Sequence, residues 1–409
     1  MNPTERMMVR LLDCAIRGRA PDATLADQVD WTAMFTLAQA HKIDAMLLDP
    51  FCLLPEGARP PANVLAAWQE NAMMTVMSQM MLVEQLHALL AAFESAGVKA
   101  IVLKGVALKQ LYPQPDLRTM SDADLLVEEA AFEAGNGVMA SQGYTLDERE
   151  PGVNIYRGAD GLRVELHARL FDKTAYGFLS RLDEDAVFPV SLAGREPVYG
   201  GEAWVFPPKE HALFMLCHMA KHMITTGFGL RQTVDFILFA GHNDRAMDWD
   251  AFWQAAGTLG LTRFAAALLA LGGAYFSLPS GGWANGAPEV SRETAEGLLE
   301  DVLDAGVFGN RTEERRRSAA VVYRAYDAED ADTGRLRRAV FPSAATLKAP
   351  YLYARKHPVL LPVAWAHRLV RYALALLTGK ARRGDAAAGM EIADGRLTLL
   401  GSLGLRDDK

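Results

Sequence analysis

The side chains best placed to do chemistry lie between Ala100 and Val127, in AIVLKGVALKQLYPQPDLRTMSDADLLV. There Asp122-Ala123-Asp124 runs into Leu125-Leu126-Val127, an apolar, strand-forming stretch. Side chains alternate faces on a strand. Asp122 and Asp124 therefore point one way, and Ala123, Leu125 and Val127 point to the core. Two carboxylates side by side repel, and a divalent cation removes that cost. Mg²⁺ typically takes one or two carboxylates plus phosphate oxygens.

These carboxylates need elements to hold them. Ile101-Val102-Leu103 reads as a strand ending at Lys104-Gly105, followed by a helical run from Val106 to Tyr112 and a turn with Pro113 and Pro115. Further on, Asn154 to Arg157, the Gly158-Ala159-Asp160-Gly161 turn and Leu162 to Leu170 read as a hairpin. On its second arm Leu162, Val164 and Leu166 share one face, and Arg163, Glu165 and His167 share the other. The spacing places Glu165 on the polar face of that strand.

The order strand, Gly turn, helix, Asp-x-Asp strand resembles the nucleotidyltransferase superfamily of the DNA polymerase β type. More narrowly, LKG…LY…R…SDADLLV resembles a poorly characterised bacterial nucleotidyltransferase family often found near peptide-modification and polysaccharide gene clusters, with weaker echoes over residues 35 to 375. The resemblance implies an α+β fold: a polymerase β-like core, a small mixed sheet with helices, embedded between N-terminal and C-terminal helical regions. It implies Asp122, Asp124 and Glu165 as catalytic and metal-holding residues, with Mg²⁺ (or Mn²⁺) as cofactor and an NTP as donor. Lys104, Gly105 and Arg118 would meet the triphosphate, Gly105 by letting backbone N–H groups come close. The family's His…Lys-His helix followed by Arg and Asp corresponds here to His218, Lys221, His222, Arg231 and Asp235, and His218 and His222 would hold nucleotide or acceptor. One departure is Val106, where the superfamily carries a small or hydroxyl residue.

Each assignment has a plainer alternative. Asp122 and Asp124 read otherwise as exposed strand-edge carboxylates, and Glu165 as a cross-strand partner for Arg. Lys104 reads as a solvated charge, Arg118 as a partner of Asp122, and the two histidines as packing groups. His218 and His222 have metal-ligand spacing on a helix. The Glu of a His-Glu-x-x-His protease is absent, however, which argues against a zinc hydrolase. No P-loop, Gly-x-Ser-x-Gly elbow, kinase set or Rossmann fingerprint is present. The reading that competes with an enzyme is a non-catalytic scaffold that binds nucleotide or peptide.

The remaining sequence sets the frame. Residues 1–97 read as a helical region, with Asp30 capping a helix and a long helix from Val64 to Ser95 whose Met73, Met77 and Met80 are expected in the core. Residues 98–210 read as the α/β core, 211–380 as a helical domain and 381–409 as a loose tail in which Leu397 to Leu405 could form a strand. The chain has 409 residues and a net charge of −8, which argues against nucleic acid as partner. The acceptor is expected to be a peptide, metabolite, sugar or protein. From Arg311 to Arg383 sixteen Lys/Arg stand against six Asp/Glu. Arg315-Arg316-Arg317, Arg335/Arg337/Arg338 and Lys380/Arg382/Arg383 make this segment a candidate for an anionic acceptor or for peripheral membrane contact. Cys14, Cys52 and Cys217 are few and scattered, as in a reducing compartment. No apolar h-region opens the chain, and a cytoplasmic location is expected.

Overall fold

The computed structural model describes residues 1–159, 161–171, 177–307, 357–377 and 383–406, with isolated positions between 315 and 354. Four helices open the chain: α1 (Pro3–Arg17), α2 (Trp31–His41), α3 (Leu48–Leu53) and α4 (Ala62–Ser95). Asp30 caps α2 as anticipated, its carboxylate accepting from Ala33 N–H at 2.9 Å. Strand β1 (Ile101–Val102), helix α5 (Val106–Lys109), strand β2 (Asp122–Leu126) and helix α6 (Phe132–Ser141) follow. Next come β3 (Thr145–Glu150), β4 (Val153–Arg157), β5 (Arg163–His167), helix α7 (Glu184–Val187), β6 (Gly194–Val198) and β7 (Gly201–Val205). The strands make one mixed sheet in the order β3-β4-β5-β2-β1-β7-β6. The anticipated hairpin is β4–β5, antiparallel, with Gly158 N–H bonded to Leu162 O at 2.8 Å.

The remaining helices, α8 (Pro208–Ile224), α9 (Leu230–His242), α10 (Trp249–Thr258), α11 (Thr262–Tyr275) and α12 (Arg292–Ala305), share one apolar core with α1 and α2. Buried His41 ties α2 to α9 and α12. Its Nδ1 accepts from Leu230 N–H at 3.1 Å, so its Nε2–H donates to Leu303 O at 3.1 Å. A second core lies between the sheet, α6 and the C-terminal half of α4. Helix α4 reaches both cores, with Trp68 and Ala72 in the first and Val83, Leu86, Leu89 and Phe93 in the second.

Two expectations fail. The Met stripe of α4 is not core: Met73, Met74, Met77, Met80 and Met81 are all 55–60% exposed. The buried face is set instead by Trp68, Ala72, Gln79, Val83 and Leu86, and it contains a glutamine. Among the described residues α4 is also the helix long and apolar enough, by length and composition, to cross a membrane. Since Met77 touches no core, Met77→Lys is expected to change stability by no more than about 0.5 kcal/mol in urea unfolding. A larger loss would return the stripe to packing.

The C-terminal stretch is not a loose tail where it is described. Helix α13 (Leu361–Leu377) falls in the stretch expected to be helical, whereas α14 (Arg383–Ser402) occupies the expected tail, and Leu397 to Leu405 is helix and turn, not strand. Ala393, Leu400 and Leu403 are buried, and Arg396 bonds Asp301 Oδ1 at 3.2 Å and Met223 O at 2.8 Å. Of the basic clusters, Arg315 is buried in a two-pronged pair with Asp301, at 2.6 and 2.7 Å. Arg316, Arg317, Arg335, Arg337, Arg338, Lys380 and Arg382 lie outside the described residues.

Candidate active site

The site is built on β2, and its position follows from how β2 is entered. Gln79 of α4 holds the backbone of Met120 at both ends, accepting from its N–H at 2.6 Å and donating to its C=O at 2.9 Å. Gly105 has φ +67°, and a Cβ there would lie 2.6 Å from Met120 Sδ. Only glycine allows that turn to pack against the approach to β2. Val106 is fully buried beside it and faces no solvent. Lys109, also buried, donates to Pro115 O at 3.0 Å and Arg118 O at 2.6 Å, closing the intervening loop.

Parallel pairing of β2 with β5 sets Asp124 opposite Glu165 and Leu126 opposite His167. Asp124 is buried, with Lys104 Nζ 2.9 Å from its Oδ2. Its Oδ1 lies 3.6 Å from His167 Nε2, which is 3.7 Å from Glu165 Oε2. Among the described residues, one atom each of Asp124, Glu165 and His167 falls within 4.8 Å of the others, a spacing that could hold a metal ion. Asp122 is on the same face but outside this group, at the open end of β2, where Ser121 Oγ–H donates to its Oδ1 at 3.2 Å. The sequence-derived carboxylate set was Asp122, Asp124 and Glu165; the convergent set has His167 in place of Asp122. The alternation of β5 gave His167 the same face as Glu165, and that was the available signal.

Helix α8 leans over the site. Lys104 Nζ is 3.3 Å from His218 Nε2, and His222 Nε2 is 3.0 Å from the same atom. Both histidines are held neutral. Burial, then the Lys104 charge, pushes His218 far below its ordinary value and His222 down to about 4. A neutral His218 accepts at Nε2 from the Lys104 ammonium. Burial works against charge on Lys104, but Asp124, Asp122 and Glu165 outweigh it and raise its pKa. Burial likewise opposes ionisation of Asp124, yet the Lys104 charge holds it well below the usual carboxylate range. Glu165 is raised, by burial and by the Asp124 charge.

Arg118 does not open into the site. Its guanidinium is buried in a two-pronged pair with Asp235 of α9, Nη2 at 2.6 Å and Nε at 3.1 Å, and Tyr112 OH donates to the same carboxylate at 2.7 Å. Its partner is thus Asp235 and not Asp122. Arg231, one turn earlier on α9, is half-buried, with Nη1 bonded to Thr119 O at 2.9 Å and Nε without a hydrogen-bond partner. Burial, then the Arg118 charge, lowers its pKa, with Asp235 and Asp122 acting against them.

A family model described as "Uncharacterised nucleotidyltransferase" matches residues 27–277, more than half of the chain. The chain belongs to this nucleotidyltransferase family. The matched span contains all seven strands and helices α8 and α9, and so Lys104, Asp124, Glu165, His167, His218 and Arg231. No curated protein and no solved structure matches the chain. The nucleotidyltransferase is a transferase of nucleotidyl groups.

One anchoring group beneath this site gives a pH test. His211 Nε2 meets Leu103 O at 2.8 Å at the end of β1, and burial lowers its pKa to about 4. Between that value and the ordinary 6.5 the unfolded chain binds a proton that the folded protein refuses. Stability from this group is therefore present above pH 6.5 and lost as pH falls to about 4, by about 3 kcal/mol. Urea unfolding of wild type and His211→Gln at pH 7 and pH 4.5 checks it: the wild type is expected to lose more of its stability between the two, and equal losses would contradict it.

Proposed function

We propose that this nucleotidyltransferase moves a nucleoside monophosphate from an NTP to a hydroxyl or other nucleophile of a peptide, metabolite, sugar or protein, releasing pyrophosphate. The central Asp-bearing strand with its flanking helices is read as a polymerase β-like core. The observation that carries the proposal is the register that faces Asp124 with Glu165 and His167 while Lys104 closes on the same carboxylate.

A divalent ion held by Asp124 and Glu165 would neutralise charge on the transferred phosphate and acidify the attacking hydroxyl. The chain's own side chains do the positioning, the main requirement of phosphoryl chemistry. Lys104 is charged, fixed by Asp124 and His218, and available to an α- or β-phosphate oxygen. Arg231, with its free Nε, takes the phosphate position that Arg118 leaves by pairing with Asp235. Val106 cannot donate to a phosphate, so that duty falls on these cations.

Nucleotide binding without turnover is the second reading, favoured because Lys104 already neutralises Asp124. Thermal shift with each of ATP, GTP, CTP and UTP and Mg²⁺ or Mn²⁺ tests binding. A metal-dependent rise for one NTP, absent in Asp124→Asn, is expected. Equal shifts in both proteins would overturn the site assignment. Pyrophosphate release with the identified NTP then separates transfer from binding alone.

A further inference from the structure

We infer that His167 is a metal ligand, and that it completes an Asp124–Glu165–His167 set selective for a first-row transition ion such as Mn²⁺ over Mg²⁺. The inference rests on the nucleotidyl-transfer reading and adds the ion's identity and its third ligand. Each of the three residues has one atom tied by a neighbour and one turned inward. Asp124 Oδ2 is held by Lys104 Nζ at 2.9 Å, leaving Oδ1. Glu165 Oε1 is held by Arg163 Nη2 at 3.1 Å, leaving Oε2. His167 Nδ1 is 3.4 Å from Arg169 O, the orientation in which Nδ1–H donates and Nε2 is left with its lone pair.

That Nε2 is buried and has no hydrogen-bond partner. It faces two carboxylate oxygens at 3.6 and 3.7 Å, too far for a hydrogen bond. With the imidazole neutral, a lone pair and two anionic oxygens within 4.8 Å of one another repel, and a cation between them makes all three favourable. A histidine that ligates a metal typically donates its other N–H to a carbonyl or carboxylate, as here to Arg169 O. The imidazole decides the preference. Mg²⁺ favours oxygen ligands and parts reluctantly with its waters, whereas nitrogen ligands suit transition ions.

The test uses metal-stripped protein with a non-hydrolysable NTP analogue, titrated with Mn²⁺ and Mg²⁺. The preference for Mn²⁺ is expected to fall at least about ten-fold in His167→Gln. In wild type, pulsed EPR of bound Mn²⁺ is expected to show a nitrogen coupling that changes when histidine is labelled with ¹⁵N, a readout that needs no variant. Bound Mn²⁺ with no histidine coupling, or an unchanged preference in His167→Gln, overturns the inference. If Mn²⁺ binding then still depends on Asp124, the proposed function survives. Mn²⁺ and nucleotide binding unaffected by Asp124→Asn would sink both.

Discussion

Replacing Asp124 by Asn is expected to weaken metal-dependent NTP binding at least about a hundred-fold, since loss of a direct ligand exceeds the 10–100-fold effect of losing an outer partner. Asp124 is the most connected group of the site. Lys104 Nζ lies on one oxygen, and His167 and Glu165 surround the other. Asparagine keeps the size but loses the charge, so the ion loses a ligand and Lys104 loses its counter-ion. Calorimetric titration with NTP in Mn²⁺, on protein shown to be folded by circular dichroism, measures the effect. A folded Asp124→Asn protein with wild-type affinity would remove Asp124 from the site.

The second large effect is on stability. Asp235→Ala is expected to cost about 3–5 kcal/mol, because it strands a buried guanidinium rather than deleting a whole ion pair. Asp235 accepts two bonds from Arg118 and one from Tyr112 OH, all buried. Arg118 lies between the loop closed by Lys109 and the start of β2, so its displacement also disturbs β2. The double change Arg118→Met with Asp235→Leu is expected to recover most of the loss, since an apolar replacement of a whole buried pair is often neutral. Urea unfolding of the three variants decides it. A loss below about 1 kcal/mol for Asp235→Ala would mean the pair is solvated in solution.

Much of the central sheet was legible in the sequence because strand chemistry is local. Period-two alternation fixed the shared face of Asp122 and Asp124 and that of Glu165 and His167, and an Asp-Gly turn marked the hairpin. Which of those groups converge was not legible. Register between β2 and β5 decides it, and it brings in His167 while leaving Asp122 at the open end. Arg118 was misread for a similar reason, its true partner lying 117 residues away on α9. The Met stripe misled because helical spacing identifies a face without saying whether that face is covered. In α4 the covered face contains Gln79, whose side chain is satisfied by the Met120 backbone and not by water. The C-terminal helix α14 was hidden by its Gly, Ala and charged residues, and its docking rests on Arg396 reaching Asp301.

The most direct test of the central claim is anomalous diffraction at the manganese edge from crystals soaked with Mn²⁺ and a non-hydrolysable NTP. A peak is expected between Asp124 Oδ1 and Glu165 Oε2, with the triphosphate on the side of Lys104 and Arg231. Nucleotide bound elsewhere, or no peak between those carboxylates, would contradict it.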